Sequence, residues 1–187
     1  MRYRSFPAVF FALLLAPVWA ANTDAPGVPN FHKVDDHVFR GGQPVDVGWN
    51  SLAHLGIKLV IDLRLTSEHP VRAEEQAVKA AGMQYVNVPM RGLSAPAADQ
   101  ISKVLALLLG NSSGPVFVHC RRGADRTGTV IAVYRIVHDH WANQKALQEA
   151  RSYGMARVEW GMMHYIQTFK PPAAPLAAGA LLTAPSN

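Results

Sequence analysis

The chain of 187 residues has a single cysteine, Cys120, and that count alone excludes an intramolecular disulfide. A folded domain here must stand on its core. Charged residues are few, at 17% of the chain, and they form no run of lysines and arginines, so no nucleic-acid partner is expected. Long hydrophobic runs are missing too; the longest, Phe6 to Ala16, is too short for a comfortable bilayer span. Metal-ligand spacing is absent: His138 and His140 lie two apart and cannot share a helix face. No metal and no cofactor is expected. No internal repeat is visible, and the length suits one domain of ordinary size.

What the chain does have begins at its N-terminus. Arg2 and Arg4 precede the apolar run, and Pro17-Val18-Trp19-Ala20 offers a small residue for cleavage. Residues 1–20 therefore read as a signal peptide, with a retained anchor as the alternative. Export implies a periplasmic or secreted bacterial location, with no stable membrane insertion after cleavage. Losing two arginines and no acid takes the net charge from +5 to +3. A free thiol in an oxidising compartment is a liability unless the protein uses it. Residues 21–33 are polar with prolines and read as a loose lead-in. A domain is expected over 34–170, followed by a disordered Pro/Ala-rich tail over 171–187.

Within the domain, strands and helices alternate. Residues 37–40 read as a strand, and Asp46 caps a helix ending at Gly56. Residues 57–63 (IKLVIDL) form a nearly continuous apolar run, as a buried parallel strand does. A helix over 71–81, a strand over 84–88 and a helix from Asp99 through Leu109 follow. Residues 115–118 are a short strand, and helices are expected over 127–138, 143–153 and 157–169, the last burying Trp160, Tyr165 and Phe169. The alternation predicts an α/β fold, a central mostly parallel sheet flanked by helices, with ligands at the carboxyl ends of the strands.

Cys120 lies at such an end, inside His119 to Gly128, HCRRGADRTG. The loop joins a strand to a helix N-terminus, where unpaired N–H groups and the helix dipole favour an anion. A thiol attacks once ionised, and a helix N-terminus with arginines nearby favours the thiolate. Arg126 offers a planar fork for two phosphate oxygens, Gly123 lets the loop curl, and Thr127 sets a hydroxyl beside the sulfur. Attack by sulfur on a tetrahedral oxyanion, then hydrolysis of the covalent intermediate, is the chemistry these residue types suit. A buried, inert cysteine is the bland reading, but it does not explain a thiol set between His119 and three arginines.

This stretch resembles the signature of the cysteine-dependent protein tyrosine phosphatase superfamily: His-Cys, any five residues, Arg, then Ser or Thr. FRGGQP at 39–44 and GIKLVIDLR at 56–64 extend the resemblance to its compact bacterial dual-specificity-like members, over about residues 34–169. It implies a tyrosine-phosphatase-like sandwich. It also implies Cys120 as nucleophile, Arg126 as phosphate clamp, and residues 121–126, with Ala124 among them, as a cradle of N–H groups. Thr127 would assist the thiolate and His119 would tune it. The substrate would be a phosphorylated protein, a phosphoinositide or an inositol phosphate.

The general acid such enzymes carry on the loop after the third strand has no counterpart in Met90-Arg91-Gly92-Leu93. Asp125, before the arginine, is the preferred candidate over Asp99, which reads as a helix cap. Otherwise Asp125 structures the loop by pairing with Arg121 or Arg122. Those two arginines exceed what one phosphate needs and, if they face the mouth, would bind further negative groups; otherwise local carboxylates hold them. Asp62 is expected to fix a loop by hydrogen bonds, and Glu68 to pair with Arg64 or Arg72. Two alternatives to a phosphatase remain: a phosphate-binding module without turnover, and a rhodanese-like sulfur transferase, which has no need of the Cys-x5-Arg-Thr-Gly frame.

Overall fold

The computed structural model describes residues 24–110 and 113–171; the expected leader at 1–20 and nearly all of the expected tail lie outside the described residues. Five strands form one sheet in the order β1-β2-β5-β3-β4. They are β1 (His32–Lys33), β2 (Val38–Gly41), β3 (Leu59–Asp62), β4 (Gln84–Asn87) and β5 (Val116–His119). β1 runs antiparallel to β2, and every other pair is parallel. The six helices are α1 (Asp46–His54), α2 (Val71–Ala80), α3 (Ala98–Gly110), α4 (Asp125–His138), α5 (Asn143–Ser152) and α6 (Trp160–Thr168). The expected fold class and central elements are borne out.

Alternation along the strands builds two layers of core. Val38, Ile61, Val116, Val118 and Cys120 join one apolar cluster with α3 and α4. Phe39, Val60 and Phe117, one residue out of step, join another with Trp49 and Leu52 of α1 and Val78 of α2. The period of two thus sends Cys120 and His119 to opposite faces. α4 is buried on nearly every side because the sheet, α3, α5 and α6 all pack around it. That explains a helix whose sequence is almost wholly apolar after its first turn.

Four expectations are corrected. The lead-in is not loose from Asp24 on: Ala25 and Val28 are buried, and β1 pairs with β2. Asp46 does not cap α1; Val45 is the N-cap and no side chain bonds there. Asp99 lies inside the first turn of α3, while Gln100 Oε1 accepts from the Ala97 N–H (2.9 Å). Tyr165 and Phe169 pack together as expected, but Trp160 stands 75% exposed.

Candidate active site

The loop from Cys120 to Asp125 is shaped by what takes its carbonyl groups. The Arg121 oxygen accepts from the Gln43 N–H (3.2 Å), and Ala124 and Asp125 oxygens accept from Gly128 N–H (2.7 Å) and Thr129 Oγ1 (2.9 Å). Asn30 Nδ2 donates to the oxygens of Arg122 (3.3 Å), Gly123 (3.2 Å) and Tyr153 (3.1 Å). Arg40 Nη2 donates to the Gly123 oxygen at 2.7 Å. Every carbonyl from 121 to 125 is therefore engaged. Among the described residues the N–H groups of 121–127 have no protein acceptor. A bowl of free donors at a helix N-terminus is an anion site.

Gly123 makes the curl achievable. Its φ is +69°, and a Cβ there would sit 2.3 Å from the Gly41 carbonyl carbon. No other residue fits. Arg40, almost fully buried, braces the loop from below with its guanidinium 4.5 Å from the centre of the Tyr153 ring. Burial pulls its pKa down to about 10, which still leaves it charged near neutrality.

Arg126 is oriented by Glu68. Nη1 meets Oε1 at 2.7 Å and Nη2 meets Oε2 at 3.0 Å, while Nη1 also reaches the Met90 carbonyl (3.2 Å). This corrects the expected pairing of Glu68 with Arg64 or Arg72. The carboxylate takes one edge of the guanidinium and leaves the edge containing Nε for a ligand. Cys120 is buried at the base of the bowl, and Thr127 Oγ1, two residues into α4, is buried without a hydrogen-bond partner among the described residues.

The family described as DSP-PTPase phosphatase fused to NAD+ kinase matches residues 19–166. The chain belongs to that family. The dual specificity protein phosphatase TpbA of Pseudomonas aeruginosa (strain UCBPP-PA14) is 29% identical over 159 residues, covering 79% of this chain and 70% of that protein. Its counterpart from strain PAO1 is 27% identical over 140 residues, and the chain spans 60% of it. Inositol diphosphatase DSP4 of Arabidopsis thaliana is 25% identical over 144 residues, covering 75% of this chain and 71% of that one. The crystal structure of TpbA superposes with a TM-score of 0.66 at 23% identity, over 78% of this chain and 92% of that one. The catalytic core of the PP-IP phosphatase SIW14 from S. cerevisiae gives 0.67 at 22% identity, over 79% and 89%. At these identities the two structures show the shared fold alone.

Against that family frame, the remaining signature residues divide. His119 does not touch a substrate: it is fully buried on the other face, stacked on Phe117 (5.5 Å between centroids), its Nε2 3.1 Å from Glu74 Oε1. Arg121 is exposed and lines a cavity of about 530 Å³ with Gln43, Arg64 and Glu68, whereas Arg122 is held by Asp125 (2.6 Å). Asp125 accepts with both oxygens, from Arg122 through Oδ2 and from the Ala156 N–H (2.9 Å) through Oδ1. It structures the loop. Asp99 is exposed in the first turn of α3, outside the signature loop.

Behind the bowl, Asp62 fixes the next loop as expected, accepting from the Arg64 N–H (2.9 Å), Arg64 Nε (3.0 Å) and the Tyr85 hydroxyl (2.9 Å). Burial pushes its carboxyl up, but His119 and Arg64 outweigh burial and hold it below the ordinary value. Asp62, Glu74 and His119 bring one ligand atom each within 4.8 Å of one another. Arg64 bonds both carboxylates, so a permanent cation already serves where a metal ion would sit. Asn30, Arg40, Glu68 and Glu159 were not legible as site residues. Glu159, buried, accepts the Leu93 N–H at 2.8 Å and anchors the loop that carries no acid.

The Glu68 pair is open to test. Arg126 holds the Glu68 carboxyl below the usual carboxylate range. A lowered carboxylate adds stability that is complete above the ordinary value and is lost as pH falls through the lowered one. The gap in urea midpoint between the wild type and Glu68→Gln should be open at neutral pH and close in that acidic window. Turnover of Glu68→Gln at neutral pH should fall roughly 10-fold through a loosened clamp. Equal midpoints and equal rates at neutral pH would show that the pair orients nothing.

Proposed function

We propose that the protein is a phosphatase that hydrolyses phosphate monoesters through a cysteinyl-phosphate on Cys120. The observation that carries this is the bowl: five carbonyls turned out and tied, seven N–H groups free, the sole thiol at its base and Arg126 at its rim. The sulfur attacks phosphorus, the ester oxygen leaves, and Arg126 with the loop N–H groups stabilises the equatorial oxygens. Water then displaces the sulfur. Thr127 would hydrogen-bond the thiolate as it departs.

The substrate class we infer is a phosphorylated protein or an inositol phosphate, as the relatives' names read. The open cavity beside Arg121 supports substrates with a second negative group. The leader supports a periplasmic or secreted location. Steady turnover of an aryl phosphate by the purified protein tests the reading, and no turnover above background would defeat it.

Asp125 is our candidate for the acid that protonates the leaving oxygen. For that, Arg122 must release Oδ2, and a phosphate-bearing substrate competing for that exposed guanidinium would cause it. Asp125→Asn should then lower turnover by about 10²–10⁴-fold for alkyl phosphates, and much less for aryl phosphates whose oxygen leaves unaided. A uniform loss across leaving groups would assign Asp125 to structure alone. Its two occupied oxygens favour a second reading, a phosphate-binding module without turnover. The aryl phosphate assay separates the two.

A further inference from the structure

Among the described residues six large apolar side chains stand exposed, and three of them, Leu93 (67%), Val158 (63%) and Trp160 (75%), lie on two adjoining segments. The bond from the Leu93 N–H to Glu159 (2.8 Å) ties the two segments together. Gly161 seals the junction; a Cβ on it would lie 2.7 Å from the Ala95 nitrogen. Leu93 itself is held at φ 62°, a left-handed backbone that an apolar residue adopts only when its surroundings impose it. The fold thus spends strain to project a leucine into water.

The place adjoins the mouth of the bowl. The Ala156 N–H, two residues before Val158, bonds Asp125 of the signature loop, and a Cβ on Gly154 would lie 3.7 Å from that of Ala124. Around the apolar tips stand the exposed Arg91, Arg151 and Arg157, and Arg151 and Arg157 share a recess with Trp160 and Met163. The acids of these segments face inward. Glu159 is buried on the Leu93 N–H, and Asp125 is taken by Arg122 and Ala156. The outward field is therefore positive around an apolar centre.

We propose that this patch docks the protein on an anionic lipid surface, with Leu93, Val158 and Trp160 entering the interface and the arginines meeting the head groups. Charge complementarity selects the occupant. Tryptophan and leucine at the water–acyl boundary, beside basic side chains on segments that carry no exposed acid, match an anionic interface. The bound protein turns its catalytic mouth toward the membrane plane.

The test is cosedimentation of the full chain with vesicles of phosphatidylglycerol and phosphatidylcholine, and with phosphatidylcholine alone. Two double variants are compared with wild type, Leu93→Ser/Trp160→Ser and Arg151→Gln/Arg157→Gln; the leader is common to all three. Thermal melting verifies the fold of each, independently of any activity. Both variants should bind anionic vesicles at least about 10-fold more weakly, and wild-type binding should fall as salt rises. Should a variant fail to fold, the wild-type preference for anionic over neutral vesicles and its salt dependence still decide. Equal binding by all three chains, or wild-type binding indifferent to lipid charge, overturns the proposal. So does lipid binding unchanged in variants that have lost turnover of a phosphopeptide, which would make the patch a protein-docking surface.

Discussion

Cys120→Ser is expected to lower aryl phosphate turnover by at least about 10³-fold, the scale on which loss of a covalent nucleophile falls. The cysteine is the chain's only thiol and sits at the base of a loop whose N–H groups, among the described residues, lack protein acceptors. Serine is nearly the same size, and its hydroxyl does not ionise usefully at neutral pH. Thermal stability should therefore barely change, and phosphate binding to the bowl should survive. A variant that keeps a tenth or more of the wild-type rate would remove the thiol from the mechanism.

Gly123→Ala should be the most damaging single methyl group in the molecule. The left-handed φ of +69° costs an alanine about 1–2 kcal/mol, before any clash. The added Cβ would then press on the backbone of Gly41 and Gly42 at 2.3–2.5 Å, and backbone there cannot yield as a flexible side chain does. Overpacking adds about 1–3 kcal/mol. The loop must therefore open, or the protein must lose a large part of its stability. Urea unfolding should show a sharply lower midpoint, and any folded remainder should bind phosphate poorly. A Gly123→Ala protein with wild-type midpoint and rate would mean that the loop does not depend on this curl.

The strand, loop and helix around Cys120 were legible because they are contiguous: four apolar residues, a ten-residue signature and a buried helix lie in one stretch. What was missed acts at a distance. Asn30 and Arg40 hold the loop's carbonyls from about ninety residues upstream, and Asn30 lies in a segment whose two-residue strand is too short to show any period. Glu68 was assigned to Arg64 or Arg72 because they are close in sequence. Its partner is Arg126, 58 residues on, brought there when β5 lies beside β3.

Other misreadings come from position within a helix. Asp46 and Asp99 look like caps, yet each helix begins at or just before them, which puts both inside the first turn. Trp160 stands five residues before Tyr165, about 140° around an α-helix and so off its face, and it opens α6 outside the buried set Met162, Met163 and Ile166. The loop around Cys120 follows the C-terminal end of β5, the end of a parallel sheet where ligands bind.

The covalent intermediate is the central claim, and it can be weighed directly. Wild-type and Asp125→Asn proteins are mixed with an aryl phosphate, quenched in acid within the first turnover, digested and analysed by mass spectrometry. The account predicts one phosphoryl group on the peptide containing Cys120, formed in step with the first equivalent of released phenol and absent from Cys120→Ser. Phenol release without that adduct, or an adduct on any other residue, would contradict it.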